Sequence, residues 1–397
     1  MPPLNGKGPA AISPALFRAI RYLAEKEGVS SDRVIQAVAD LSRLFTKERA
    51  DLSRPYLDDP AFAAAYLQYF LPVNLSKIQV LLDELPDESC SQADDRFTVL
   101  DIGSGPGTGA LAVLDWWCSR QPVMTGALSV VAVDNQQAAL RQAQQLWKHY
   151  CRQAHVGNAD LQTREGDVQQ KAWLGQMRQG ASFDVVILAN CLNEMYMDVK
   201  DPIAARTDLV TELLALLAPH GTVMLVEPAL RETARALHQV RDQLLQKGRC
   251  NIYSPCLHHR NCPALVNPDD WCHEERAWQA PAGIREIDEA VGFIKDALKF
   301  SYLLLRTDGR MIAPRSPNTF RIVSELRKLK GDTRAWLCNE LGRSEVGRLE
   351  RAKSATNSAW EECQRGTIIR IEGITRKEGA SLGRIPEKAI VDIVRSV

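Results

Sequence analysis

Nothing in this 397-residue sequence is long and apolar enough to cross a bilayer. Its longest apolar stretches, residues 183–192 and 61–75, are too short or too interrupted for the ~20-residue span that is needed. Residues 1–10 hold one lysine, two consecutive prolines and no apolar run behind them, so no signal peptide is expected. Internal repeats and low-complexity tracts are missing too. With 45% apolar residues and a mean hydropathy of −0.22, disorder, collagen-like repeats and a coiled-coil rod are excluded. There is no net charge, 49 basic against 49 acidic side chains, which argues against a wholly basic nucleic-acid coat and gives no reason to expect DNA as a partner. The expectation is a globular, cytoplasmic protein with no membrane partner and, at roughly 100–200 residues per domain, two or three domains.

The charge is unevenly spread. Residues 306–397 carry 19 Lys+Arg against 12 Asp+Glu, so the C-terminal third is basic and the remainder acidic. A basic third suits phosphate; a solvated charged surface is the plainer reading.

Residues 10–90 read as helical, with Leu16, Ile20 and Leu23, then Val34, Val38 and Leu41, at helical spacing. A third helix over 61–70 is expected to stop at Pro72 and a fourth to run over 75–85, with a polar linker at 86–96. From residue 97 strands alternate with helices: strands over 97–102, 128–133, 161–165, 183–188 and 222–226, helices over 108–119, 136–150, 203–217 and 231–247. Such βα units imply an open parallel sheet covered on both faces. The pattern breaks at residues 250–283, rich in Cys, His, Asn and Pro, and resumes as strands over 300–306, 319–323 and 332–339, with a strand-like tail at 366–375. The organisation expected is a helical region at 1–90, an α/β domain at 95–345 interrupted by the 250–283 insertion, and a basic extension at 346–397 with a small β-containing tail.

The first strand ends in Asp101-Ile102-Gly103-Ser104-Gly105-Pro106-Gly107-Thr108-Gly109. A dinucleotide site wants G-x-G-x-x-G, and Thr108 stands where its third glycine would be. An acid just before the first glycine suits a cationic ligand better than a pyrophosphate. The D-x-G-x-G-x-G pattern resembles the S-adenosylmethionine loop of Rossmann-like methyltransferases. That likeness implies a ribose contact from Asp134 at the end of the second strand and an adenine contact from Asp167 after the third. The candidate cofactor residues are Asp101, Gly103, Ser104, Gly105, Gly107, Asp134, Asp167 and Asn190; the alternative is a tight turn with no ligand. After the fourth strand, Ala189-Asn190-Cys191-Leu192-Asn193-Glu194 lacks the Asp/Asn-Pro-Pro-aromatic motif of amino-nitrogen methyltransferases. Cys191 is either a nucleophile or a small core residue, Glu194 either a base or a solvated acid. No catalytic residue is assigned.

Of ten cysteines, Cys250, Cys256, Cys262 and Cys272 crowd into 23 residues. With no secretory signal, a disulfide framework is not expected, and thiols in a loop without a core suggest a metal. The spacing C-x5-C-x9-C matches neither a zinc ribbon nor a ferredoxin run, so iron–sulfur and zinc both stay open. His258, His259 and His273 are possible nitrogen ligands. A fourth thiol comes from Cys250 or Cys338. If 332–339 is the reversed last strand of the sheet, Cys338 meets the loop at the edge opposite the glycine turn, far from the cofactor.

Segments 65–75 (AYLQYFLPVNL), 100–109 (LDIGSGPGTG), 226–230 (VEPAL), 255–263 (PCLHHRNCP), 270–272 (DWC) and 330–338 (KGDTRAWLC) together resemble the methyltransferase-like proteins associated with the mitochondrial small ribosomal subunit and their bacterial relatives. The resemblance implies a 4Fe–4S cluster on Cys256, Cys262, Cys272 and Cys338, and a role in small-subunit assembly or translation, with the subunit or its rRNA as partner. Two alternatives are a non-catalytic assembly factor that uses the fold for binding, and a small-molecule methyltransferase with structural zinc.

Overall fold

The computed structural model describes residues 12–49, 56–86, 96–120, 126–170, 172–177, 182–293, 296–378 and 381–396; most of the linker expected at 86–96 lies outside them. Helix α1 (Pro14–Glu25) starts where the Ser13 side chain accepts from Leu16 N, and it buries Leu16, Ala19, Ile20 and Leu23. Helix α2 (Ser31–Thr46) buries Val34, Ala37, Val38 and Leu41. Pro72 does not stop the third helix as expected. Helix α3 (Pro60–Ala65) runs through one wide turn, Tyr66–Phe70, straight into α4 (Leu71–Leu82). In that turn Leu71 N reaches back to Tyr66 O, so the helix re-registers and Pro72 falls in the first turn of α4, where its missing N–H costs nothing.

The α/β unit follows in chain order: β1 (Arg96–Ile102), α5 (Thr108–Ser119), β2 (Ala127–Asp134), α6 (Gln137–Ala154), β3 (Ala159–Glu165), α7 (Ala172–Met177), β4 (Phe183–Ala189), α8 (Pro202–Leu214), β5 (Leu217–Pro228) and α9 (Arg231–Gln246). It is completed by β6 (Asn251–Ser254), β7 (Glu274–Ala277), α10 (Ala282–Val291) and β8 (Ala297–Arg306). The strand order is β3-β2-β1-β4-β5-β8-β6, with β7 also on β8; β1 to β5 are parallel and β8 runs antiparallel to β5. This is the Rossmann-like, doubly wound arrangement that the alternating pattern implied, with one reversed strand. Alternate residues of the central strands split between two cores. Val99, Val185, Ile187 and Val226 face the N-terminal helices and α5, while Leu100, Val186, Leu188 and Leu225 face α8 and α9.

Residues 319–395 form a second sheet: β9 (Thr319–Ile322), β10 (Arg327–Leu329), β11 (Asp332–Asn339), β12 (Gly342–Leu349), β13 (Ile368–Glu372), β14 (Gly383–Arg384) and β15 (Ile390–Arg395). It has its own core around Phe320, Leu337, Val346, Trp360 and Ile369. Two expectations are corrected here. The strand at 332–339 is not the reversed strand of the first sheet, a place taken by β8; it pairs with β9, β10 and β12. Strands on both sides of residue 345 share this second sheet, so the β-containing part begins well before 346.

Candidate functional site

The turn between β1 and α5 is held from both sides. Gly103 N and Ser104 N donate to Val133 O at 2.9 and 3.1 Å, and Gly105 N donates to Asp134 Oδ2 at 2.8 Å. Gly105 has φ +51° and a β-carbon there would meet only open space, which leaves its backbone free for a ligand to approach. Gly107, by contrast, is needed for packing, because its β-carbon would stand 2.9 Å from Ala143 Cβ.

Asp101 closes β1 but is turned under the helix. It is buried, its Oδ2 accepts from Ala110 N at 2.8 Å, and a β-carbon on Gly109 would fall 2.3 Å from its Oδ1. Its carboxyl therefore binds the first turn of α5 and shapes the loop from below. Asp134 accepts from Gln136 N at 2.8 Å, and half-buried Asp167 accepts from Gln169 N at 3.0 Å. Asn190 adopts a left-handed conformation (φ +59°) with its N–H on Val226 O. Cys191 packs against Gly103, where a β-carbon would meet its Cβ at 2.8 Å, and its thiol donates to Ile102 O at 3.3 Å. Burial, then the charges of Glu227 and Glu194, keep that thiol protonated, which suits a packing residue and not a nucleophile.

Two acids join this edge. Glu194 follows β4 in a short turn that Arg206 pins through the carbonyls of Asn193 (2.8 Å) and Met195 (3.0 Å). Glu227 ends β5, 1% exposed; its Oε1 accepts from Asn193 N at 3.3 Å and, among the described residues, its Oε2 completes no hydrogen bond. Burial pushes Asp101 and Glu194 up to about 7 and Glu227 up to about 8, and raises Asp134. Sequence reasoning missed Glu227; the available signal was a carboxylate closing an otherwise apolar strand. It also missed the contribution of the N-terminal helices. Arg49 bonds to Asn193 Oδ1, and Tyr56 and Tyr66 lie near enough to Glu194 and Asp134 for those charges to add to the effect of burial on their phenols.

Cys256, Cys262, Cys272 and Cys338 line one cavity of about 40 Å³, more than the ~10–15 Å³ that one water needs. Among the described residues no three His, Cys, Asp or Glu side chains stand close enough to grip a single metal ion. His258 and His273 also line the cavity, and exposed His259 does not. Burial drives His258 down to about 3, so it is neutral. Cys250 is outside the cavity, packed against the α8/α9 core and pushed up to about 11 by burial.

One face of α9 holds the cysteine loop, through residues 235, 238, 241 and 242. Arg235 donates to the carbonyls of Ala264, Asn267 and Asp270 at 3.1, 2.7 and 2.7 Å, and His238 Nε2 lies 3.3 Å from Cys272 O. Arg241, fully buried, reaches Cys256 Sγ at 3.3 Å, His258 O at 2.8 Å and Arg260 O at 2.8 Å, while Asp242 accepts from Cys262 N at 2.9 Å. The loop does not sit at the far edge of the sheet as expected. α9 runs away from the glycine turn, but β6 lies parallel to β5 and carries the chain back, so the loop climbs along α9 until Trp271 Nε1 donates to Ala229 O at 3.1 Å, two residues past Glu227.

The sequence profile of a family described as mitochondrial small ribosomal subunit Rsm22 matches residues 60–376. A comparison with curated proteins gives no match. Among solved structures, NSun6 from Pyrococcus horikoshii is 12% identical over 60% of this chain and 52% of its own, TM-score 0.34. A Listeria monocytogenes protein assigned to the class I S-adenosylmethionine-dependent methyltransferases is 11% identical over 76% of this chain and 90% of its own, TM-score 0.36. The chain thus spans about half of the Pyrococcus protein. The fold rests on the strand order itself.

Proposed function

The chain belongs to the family of the mitochondrial small ribosomal subunit protein Rsm22, and from that membership we propose that it binds S-adenosylmethionine and acts on the small ribosomal subunit or its RNA. The observation that carries the cofactor is the gathering of Asp101, Asp134, Glu194 and Glu227 at the carboxyl ends of four strands, around a glycine turn left open at Gly105. A carboxyl-rich, poorly solvated cleft disfavours anions and suits a sulfonium with its amino group. Asp134 would hold the ribose and Asp167 the adenine; Gly103, Ser104, Gly105, Gly107 and Asn190 would wall the methionine end, with Asp101 bracing the loop.

Asp134→Ala is expected to weaken S-adenosylmethionine binding by roughly tenfold or more, because it removes the ribose acceptor and the Gly105 tie together. Calorimetry checks this, and an unchanged dissociation constant would sink the assignment. Affinity is also expected to climb from pH 6 to 8.5. Glu194 and Glu227 are raised to about 7 and 8, so they are neutral at the acid end and gain charge toward a cationic ligand as pH rises. A flat profile over that window would mean that neither acid faces the ligand.

A metal group at the four thiols is part of the same reading. Cys256, Cys262, Cys272 and Cys338 would hold a 4Fe–4S cluster, which would serve there as a structural brace with electron-transfer capacity. A multi-atom cage suits thiols spread round a cavity, whereas one zinc draws four sulfurs to ~2.3 Å of a single point. Arg241 fits as the cation beside the thiolates. If the chain catalyses anything, the reaction is methyl transfer to rRNA, with the acceptor held in line with the sulfonium.

A non-catalytic assembly factor is the second reading, and the locked, protonated Cys191 favours it. Rescue of subunit maturation by Asp134→Ala would support that alternative. Among the described residues no helix is long and apolar enough to cross a membrane; a cytoplasmic site of action, on a bacterial-type subunit, belongs to the proposal.

A further inference from the structure

We propose that an arginine-rich surface beside the cysteine loop, carried by Arg249, Arg260 and Arg315, grips the phosphate backbone of RNA. The inference rests on the small-subunit reading and adds the surface by which contact is made.

The basic C-terminal third is not itself a free cationic face, since much of its charge is spent internally. Arg306 pairs with Asp308, Arg348 with Glu361, Arg365 with Glu275, Arg370 with Asp392, and both Arg334 and Arg384 with Asp332. The β6 edge of the first sheet is different. Residues 247–261 and 307–318 hold five Lys and Arg against one carboxylate, Asp308, which buried Arg306 already engages. Of the acids beside or within the loop, Asp242 is held by Arg241 and by Cys262 N, Asp269 by Arg231 and Asp270 by Arg343. Arg310 approaches Asp308 at 4.0 Å, whereas Arg249, Arg260 and Arg315 are exposed and, among the described residues, no carboxylate pairs with any of them.

The fold brings these segments together. Gly309 N donates to Asn251 Oδ1 at 3.0 Å, Asn251 Nδ2 donates to Arg310 O, and Ile312 N donates to Tyr253 O at 3.0 Å, so 309–312 runs beside β6. Arg315 then bonds to His259, while Arg260 is tied by its carbonyl to Arg241 at 2.8 Å. His259 registers the local potential: after burial, Arg315 and Arg241 hold its imidazole below the ordinary range, and thus neutral, although it is exposed. The exposed guanidiniums of Arg249, Arg260 and Arg315, on segments that these bonds hold side by side, offer planar donor forks to phosphate oxygens.

The test is Arg249→Gln/Arg260→Gln/Arg315→Gln in the full chain, titrated against purified small ribosomal subunits and against protein-free small-subunit rRNA over a salt series. At ~0.7–0.9 per phosphate contact, the slope of log K against log salt should shrink by about two. Metal content and S-adenosylmethionine affinity should stay at wild-type values, which shows that the variant is folded. Lys328→Gln/Lys330→Gln, on the exposed β10–β11 hairpin, should leave more of the slope intact. An unchanged slope in the triple variant, with the wild type binding both targets, overturns the surface and spares the ribosomal reading. Binding to rRNA but not to subunits, with the slope reduced, overturns the ribosomal reading and spares the surface. Wild-type binding that survives ribonuclease, or none to either target, overturns the proposal.

Discussion

With the proposed cluster on the four thiols, Cys338→Ala is expected to lower bound iron and sulfide by on the order of tenfold or more, whereas Cys250→Ala leaves both in place. By sequence both cysteines could supply the fourth thiol, with Cys338 favoured by topology and by the family resemblance; in the fold only Cys338 lies in the cavity of the other three. Cys338, on β11, lines the same cavity as Cys256, Cys262 and Cys272, close enough for their charges to raise its own thiol further once burial has done so. Cys250, at the turn from α9 into β6, packs into apolar surroundings outside that cavity. Three of the thiols belong to the loop on the first sheet and the fourth to the second sheet, so under the proposal loss of Cys338 would remove a ligand and a tie between sheets at once. Metal and sulfide analysis with a visible spectrum, on protein purified without oxygen, reads the result. Equal loss in both variants, or stoichiometric zinc without sulfide in the wild type, would remove the cluster from the account.

The central strands β1, β4 and β5 were legible in the sequence because a parallel strand buried on both faces is a nearly continuous apolar run, as in Val185-Val186-Ile187-Leu188, and because the glycine turn fixes where β1 ends; edge strand β3, mostly exposed, carries a weaker signal. The partner of a later strand was not. Residues 332–339 alternate as a strand should, but a period of two reveals which side chains share a face and is silent on which sheet the strand joins. That is decided by long-range pairing with β9 and β12. The position of the cysteine loop failed for a related reason: the direction of α9 was readable, and the return of the chain through the four residues of β6 was not. At the site, sequence placed acids at the ends of β1 and β2 without showing where their oxygens point. Asp101 and Asp134 look alike as strand-ending carboxylates, yet one faces down to Ala110 N and the other up to Gly105 N.

Glu84→Gln is expected to destabilise the fold by about 3–5 kcal/mol near neutral pH, the range for removing one partner from a buried ion pair. Glu84 lies just past α4, 5% exposed, and bonds to Arg276 of β7, Tyr302 of β8 and Ser254 of β6. Arg321, from the second sheet, bonds to Tyr302 at 2.9 Å and to Glu274. Two buried guanidiniums thus share two buried carboxylates where the N-terminal helices, the cysteine insertion and both sheets meet. Glutamine keeps the shape and removes one charge, so Arg276 and Arg321 are left with Glu274 alone in a place that water does not reach. Adding Arg276→Met should therefore recover part of the loss, since it withdraws the uncompensated cation; no recovery would mean that lost hydrogen bonds carry the effect instead. The pH dependence follows from the direction in which Glu84 is shifted. Burial alone would raise it, but Arg276, Arg321 and Arg395 together bring it below the ordinary glutamate value. A carboxylate depressed in the folded state contributes its full stability above its unfolded pKa, ~4.3, and loses it as pH falls through the lower folded value. The gap between wild type and Glu84→Gln in denaturant unfolding should accordingly hold steady from pH 7 to about 5 and close below about 4.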